Sequence, residues 1–176
     1  MMETMEKTSR YAEQFAEFER EATGGPLWLA PLRKAAFSRF AELGFPTRHD
    51  EEWRFTNPAP LVETEFALPG GATGKVTSER IAPLLFGGTV LVCMDGRYAP
   101  ELSVGVSLPQ GVRVRGLAEA LETEAALLEP HLGRYAGFEN QAFTALNTAF
   151  LQDGAFVHIP RNTIIETPIH LLYVSI

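Results

Sequence analysis

Apolar positions near the start of the chain recur at helical spacing. Tyr11, Phe15, Phe18 and Ala22 stand at i, i+4, i+7 and i+11, with Glu, Lys and Arg between them, which predicts an amphipathic helix over residues 5–22. Gly24-Gly25-Pro26 ends it. A second stripe, Leu32, Ala36, Phe40 and Leu43, predicts a helix over Pro31–Leu43. Pro31 suits the first turn, where its missing N–H costs nothing. Gly44 followed by Pro46 is a helix stop. Two helices joined by a short Gly-rich loop are expected to form an antiparallel hairpin packed through Phe15, Phe18, Leu32 and Phe40. Thr47-Arg48-His49-Asp50 has the spacing of a capping box, with Asp in place of the preferred Glu or Gln. It predicts a short helical turn at Asp50–Trp53, broken by Asn57-Pro58-Ala59-Pro60. Residues 61–80 are weakly patterned. Pro69-Gly70-Gly71 with Gly74 marks a loop, the segment where disorder is expected.

The period then shortens to that of strands. Thr89-Val-Leu-Val-Cys-Met94, then Asp95-Gly96, then Arg97-Tyr98 is a strong hairpin signal, because Asp-Gly tolerates the positive φ values of a two-residue type I′ turn. Leu108-Pro109-Gln110-Gly111 is a further turn, with Val112 and Val114 alternating with arginines beyond it. Leu117–Leu128 is helical by propensity and spacing, with Pro130 as its stop. A last helix is predicted over Glu139–Phe150, with Phe143, Leu146 and Phe150 on one face. Very short apolar strands follow in 155–174, cut by Asp153-Gly154, Pro160-Arg161-Asn162 and Glu166-Thr167-Pro168. Short strands with three-residue corners are how a parallel β-helix opens. The expected class is α+β: an N-terminal helical and mixed domain, 1–150, leads into the first coil of a right-handed parallel β-helix, 151–176. Leu171, Leu172, Tyr173, Val174 and Ile176 would make a poor natural C-terminus. The chain is therefore expected to be the front of a longer protein, and its last strands to self-associate when nothing covers them.

Composition narrows the classes. At 176 residues, 45% hydrophobic and 21% charged, the chain suits a folded globular protein. A net charge of −7 argues against a general nucleic-acid binder and against docking on anionic lipid. The single cysteine, Cys93, excludes an intrachain disulfide, and a Cys-rich metal or cluster site cannot be built from it. No apolar run approaches the ~20 residues of a membrane span, and the first residues carry no secretory h-region. The default expectation is cytoplasmic.

Candidate chemistry is sparse. His49, Asp50, Glu51 and Glu52 lie in a row, but consecutive residues do not face one point, and the plainer reading is a solvated acidic first turn. Trp53-Arg54-Phe55 reads as a packing wedge with one ring inward and the arginine spanning charged neighbours. Cys93, between Val92 and Met94, reads as core packing. His158 and His170, stacked on one solenoid face, could hold a metal, but no third ligand is in view. There is no Gly-x-x-x-x-Gly-Lys-Ser/Thr loop and no Gly-x-Ser-x-Gly elbow. No catalytic, cofactor-binding or metal residue is assigned.

Two stretches carry a resemblance. Arg48-His-Asp-Glu-Glu-Trp-Arg-Phe-Thr-Asn57 and the long segment Asn140–Ser175 resemble the SufB/SufD family, scaffold subunits of an iron–sulfur cluster assembly machine. A weaker likeness lies at Val90–Ser103. Leu146-Asn-Thr-Ala-Phe150 and Pro168-Ile-His-Leu-Leu172 favour the SufD branch. The resemblance implies an N-terminal helical domain on a right-handed parallel β-helix. It also implies a complex with a SufB-like subunit and a SufC-like ATPase, in which ATP hydrolysis drives the pair that builds the cluster. The chain itself would be non-enzymatic and hold no cofactor in this segment. Two alternatives stand beside it. One is the front of a β-solenoid carbohydrate-active enzyme, which needs paired carboxylates and has only Asp153 and Glu166 nearby. The other is an independent acidic interaction module.

Overall fold

The computed structural model describes residues 2–22, 24–68 and 76–175. Its helices are α1 (Met2–Glu21), α2 (Leu29–Leu43), α3 (Ala59–Glu63), α4 (Ser78–Ile81), α5 (Leu117–Thr123), α6 (Ala125–Leu128) and α7 (Ala142–Ala149). Its strands are β1 (Thr89–Met94), β2 (Arg97–Tyr98), β3 (Arg113–Gly116), β4 (Ala155–His158) and β5 (Ile169–Val174). The chain forms two compact units, Met1–Leu68 with Ala125–Leu151, and Pro69–Glu124 with Gln152–Ile176. The expectation set one boundary, at 150. The observed path crosses between the units there and twice earlier, because α6 and α7 bury their faces among the residues of the first two helices' unit.

The first unit is helical. Tyr11 packs edge-on against Phe40 (5.8 Å), Phe15 stacks flat on Phe37 (4.3 Å), and Lys34 pairs with Glu19 (3.5 Å). Partners on α2 descend as those on α1 ascend, so the two helices run antiparallel, as the sequence predicts. The nearest neighbour of α2 is α7, however. Ala36, Ala145 and Ala149 are all fully buried. Small residues on both helices let the backbones approach, whereas α1 stands off at the distance its aromatic rings require. Leu32, placed in the hairpin seam, is half-buried with its methyl groups against Gly133. Arg33 takes an inward position that the sequence gives no sign of. It is 7% exposed, donates from Nε to the Leu151 carbonyl (2.8 Å) and lies over the Phe18 ring (5.0 Å). Burial pulls its guanidinium below the usual arginine range, and Glu19 opposes that shift.

Two predicted helices are shorter than expected. The helix expected over 139–150 begins at Ala142: Arg39 donates to the Glu139 carbonyl, and Gln141 is extended with its amide on Glu52 (2.6 Å). Its innermost stripe is Ala145, Thr148 and Ala149, with Phe143, Leu146 and Phe150 half-buried beside it. The helix expected over 117–128 breaks at Glu124 (φ −135°). There the side chain, 8% exposed, is held by Arg113 (2.5 Å) and Arg115 (3.4 Å). In 61–80, where little pattern shows, α3 forms behind Asn57, whose side chain accepts the Ala59 N–H (3.2 Å), and α4 buries Ile81. The loop expected at 69–74 lies outside the described residues.

The second unit is built on two small sheets. One has the order β2-β1-β5, the other β3-β4. The predicted hairpin is present: Met94 opposes Arg97, and Asp95 and Gly96 both have positive φ (47° and 82°), as a type I′ turn demands. β2 is only two residues long, so Ser103 takes over where it stops. Its hydroxyl accepts the Val92 N–H (2.9 Å) and donates to the Ala99 carbonyl (2.8 Å). On its other side β1 pairs in parallel with β5, from Thr89 opposite Ile169 to Met94 opposite Val174. The ladder begins beside a close approach: a Cβ on Gly88 (φ +78°) would lie 2.4 Å from the Pro168 carbonyl oxygen. Val90 and Val92 bury one face with Ile81 and, less deeply, Val76, Leu85, Leu102, Leu172 and Val174. β4 pairs antiparallel with β3, Gly116 opposite Ala155 and Arg113 opposite His158. The two strands of the predicted solenoid segment thus enter different sheets.

Candidate functional site

Among the described residues of the second unit, the turn Gln152-Asp153-Gly154 gathers a dense set of hydrogen bonds. Asp153 accepts the Tyr98 N–H on one carboxylate oxygen (2.8 Å). On the other it accepts the N–H groups of Ala118 (2.9 Å) and Gly154 (2.8 Å). Gln152 accepts from Arg97 (3.2 Å), and the Gly154 carbonyl accepts the Leu117 N–H (2.8 Å). Both Asp153 oxygens are therefore occupied by backbone donors, and Glu166 is exposed. A pair of acids free to work on either side of a glycosidic bond is what the enzyme alternative needs, and these two residues do not supply it.

Cys93 is 1% exposed near the end of β1, in register with Tyr98 on one side and Tyr173 on the other. Burial, and then the Asp153 carboxylate, pushes its thiol above the ordinary range. A thiol enclosed in this way is a packing group. This agrees with the core reading.

His158 and His170 do not share a face: one belongs to β4 opposite Arg113, the other to β5 with its ring 5.1 Å from that of Phe86. The stacking that a shared metal would need is absent because β4 and β5 diverge into separate sheets. Each Nδ1 is buried without a hydrogen-bond partner among the described residues. Among those residues no three of His, Cys, Asp and Glu gather where a metal ion could be held.

The acidic row also stays apart. Asp50 accepts the Thr47 N–H (2.7 Å) and hydroxyl (3.1 Å), the capping-box bond its spacing implies, and those bonds hold its carboxyl below the usual carboxylate range. A 3-10 turn follows at Glu51–Trp53. The Trp53 ring, half-buried, lies 5.2 Å from Phe143 and is the inward ring of the wedge. Phe55 is 92% exposed, and Arg54 lies over it (5.4 Å) instead of spanning the acids.

What the second unit does offer is an edge. The outer side of β5 pairs with no strand among the described residues. Val157, Ile159, Leu171, Tyr173 and Ile164 are exposed on and around the last two strands. The strand Ile-His-Leu-Leu-Tyr-Val contains neither Pro nor charge, the usual guards of a free edge. Sequence reasoning found these residues as apolar strands; it missed the Asp153 node, whose only written signal is an Asp-Gly turn.

No described helix is long and apolar enough to cross a membrane. Residues 83–171 match the family model described as the SufBD protein N-terminal region. An iron–sulfur cluster assembly SufBD family protein of Synechocystis is 32% identical over 153 residues, covering 84% of this chain and 33% of the relative. The iron–sulfur cluster assembly protein SufD of Bacillus subtilis is 28% identical over 173 residues, covering 93% of this chain and 38% of the relative. The SufD of Escherichia coli is 28% identical over 115 residues, covering 62% and 26%. The chain thus spans about a third of the length of the first two curated relatives it matches. With the family model covering half of the chain and the likeness extending over most of it, this chain belongs to the SufB/SufD family of iron–sulfur cluster assembly proteins.

Proposed function

We propose that the chain is the N-terminal part of a scaffold subunit, of the SufD branch, that is not an enzyme by itself. It works in the cytoplasm beside a SufB-like subunit and a SufC-like ATPase, and the nascent iron–sulfur cluster is the cargo of the complex. The observation that carries this reading is the parallel pairing of β5 on β1 with an uncharged, apolar outer edge. Such an edge is suited to receive the further rungs of a right-handed parallel β-helix, the architecture on which a scaffold of this family would be extended. The second support is chemical. Cys93 is enclosed, Asp153 is occupied by backbone donors, and the sequence has no phosphate-binding loop. ATP would then be handled by the ATPase subunit and the cluster by parts of the complex beyond these residues.

Two measurements test it. The longer protein, co-expressed with its SufB-like and SufC-like partners, is expected to copurify as one complex that takes up a cluster on anaerobic reconstitution. The 176-residue chain alone is expected to give no binding isotherm with Mg-ATP and no cluster absorption. A tight one-to-one nucleotide isotherm for the chain, or a cluster lost in Cys93→Ser, would overturn the reading.

A further inference from the structure

Helix α5 starts without a cap of its own. The residue before it is Gly116, and no side chain next to it in sequence bonds its first N–H groups. Those groups are met from far along the chain: Leu117 N–H by the Gly154 carbonyl and Ala118 N–H by the Asp153 carboxylate. The same carboxylate takes the Tyr98 N–H of β2, while Gln152 takes the Arg97 side chain. One residue further on, Ala155 opens the β3–β4 ladder opposite Gly116. Three consecutive residues therefore join the β1–β2 hairpin, the start of α5 and the first register pair of the second sheet.

We propose that Gln152–Gly154 is a polar strap that closes the second unit, with Asp153 as its positioning residue. Without it, the Tyr98, Leu117 and Ala118 N–H groups lose these acceptors, although β3 and α5 stay tied through Arg113, Arg115 and Glu124. The inference stands on this hydrogen-bond set alone and does not rest on the family reading. A strap of this kind predicts a local signature. Packing defects loosen a core broadly, whereas loss of one acceptor frees particular N–H groups.

Native-state hydrogen exchange on the full chain reads that signature, comparing wild type with Asp153→Asn, Asp153→Ala and the exposed control Glu166→Gln. Amides of Tyr98, Ala118 and Gly154 are expected to exchange about ten- to a hundred-fold faster in Asp153→Ala, as follows from losing bonds to a charged acceptor. Asp153→Asn, which keeps one carbonyl oxygen, should fall between it and wild type. Amides of β3 and β4 follow the same order, while those of α2 and α7, and all amides in Glu166→Gln, keep wild-type rates. Unchanged exchange at Tyr98 and Ala118 in Asp153→Asn overturns the proposal. So does an equal acceleration at α2, α7 and the strap, which marks general destabilisation. Should Asp153→Ala fail to fold, Asp153→Asn decides by the same two outcomes.

Discussion

In the helical unit, Phe15 is wedged among Phe18, Phe37 and Phe150, and Tyr11 among Phe40 and Phe45; ring centroids lie 4.3–6.4 Å apart. In the sheet unit the comparable positions of β1 hold Val90, Leu91, Val92 and Cys93, and its connections are closed by Ser103 and Asp153. The first region gains its stability from large apolar area, which tolerates imprecise geometry. The second has less apolar area in each strand and depends on register, close backbone approach and satisfied donors, where a single misplaced atom matters. Its last strand is also less well covered than the central rings of the helical unit: Leu171 is 43% exposed and Tyr173 61%, against 0% for Phe40.

The hardest blow to the helical side is truncation of a central ring. Phe40→Ala should cost about 3–5 kcal/mol, against about 5–15 kcal/mol for a whole domain. Phe15→Ala should act the same way, and Glu17→Ala should stay within about 0.5 kcal/mol. Urea unfolding followed by helical circular dichroism measures all three; equal and negligible shifts would remove aromatic packing from the account.

On the sheet side the matching test adds an atom instead of removing some. Gly88→Ala puts a Cβ on the Pro168 carbonyl at a positive φ, so a loss of at least about 1–3 kcal/mol is expected. Exchange protection along β1 and β5 should fall with it. A variant as stable as wild type would mean that the parallel ladder does not depend on that approach.

Coverage can be compared directly in solution. The 176-residue chain is expected to self-associate through β5, and Leu171→Lys, which places a charge on the free edge, should lower the association without changing the helical signal. Light scattering over a concentration series reads it; a strictly monomeric wild type breaks this part of the comparison.

A smaller effect concerns Cys93. Its folded thiol titrates above its ordinary value. The unfolded thiol therefore loses its proton first, near about pH 8.5. This contribution to stability is full below that pH and declines as pH rises toward the folded pKa. Thiol labelling at pH 8 should accordingly track unfolding in urea, and rapid labelling of the folded chain would contradict the enclosure.

The smallest effect belongs to Asp50 at the surface of the helical unit. Its bonds to Thr47 lower its pKa, so their contribution is present above the unfolded value of about 3.9 and is lost as pH falls through the folded one. A carboxyl-carbon NMR titration should give a midpoint below about 3.9 in wild type, moving up in Thr47→Val. A wild-type midpoint at or above that value would remove the capping bond.

Much of this was legible in order along the chain. The stripe Tyr11, Phe15 and Phe18, the stop at Gly44 and the turn at Asp95-Gly96 each depend on residues within a few positions of one another. Local sterics and hydrophobic period specify them without outside help. The Asp50 bond to Thr47 was legible for the same reason, since its partner lies three positions away. The break at Glu124 was not, because helix propensity continues through it, and only Arg113 and Arg115, folded back on β3, draw the side chain away.

What the amino-acid order determined by itself, then, is the set of pieces: the antiparallel α1–α2 pair, the β1–β2 hairpin, the acidic turn before Trp53 and the short apolar strands of the last segment. The tertiary structure decided their partners. It set α2 against α7 through alanines, sent β4 to β3 and β5 to β1, and made Asp153 the acceptor for Tyr98 and Ala118. Contacts between residues 55, 80 or 118 positions apart leave no periodic trace in a sequence. They are chosen by which faces and donors remain uncovered once the local elements have formed.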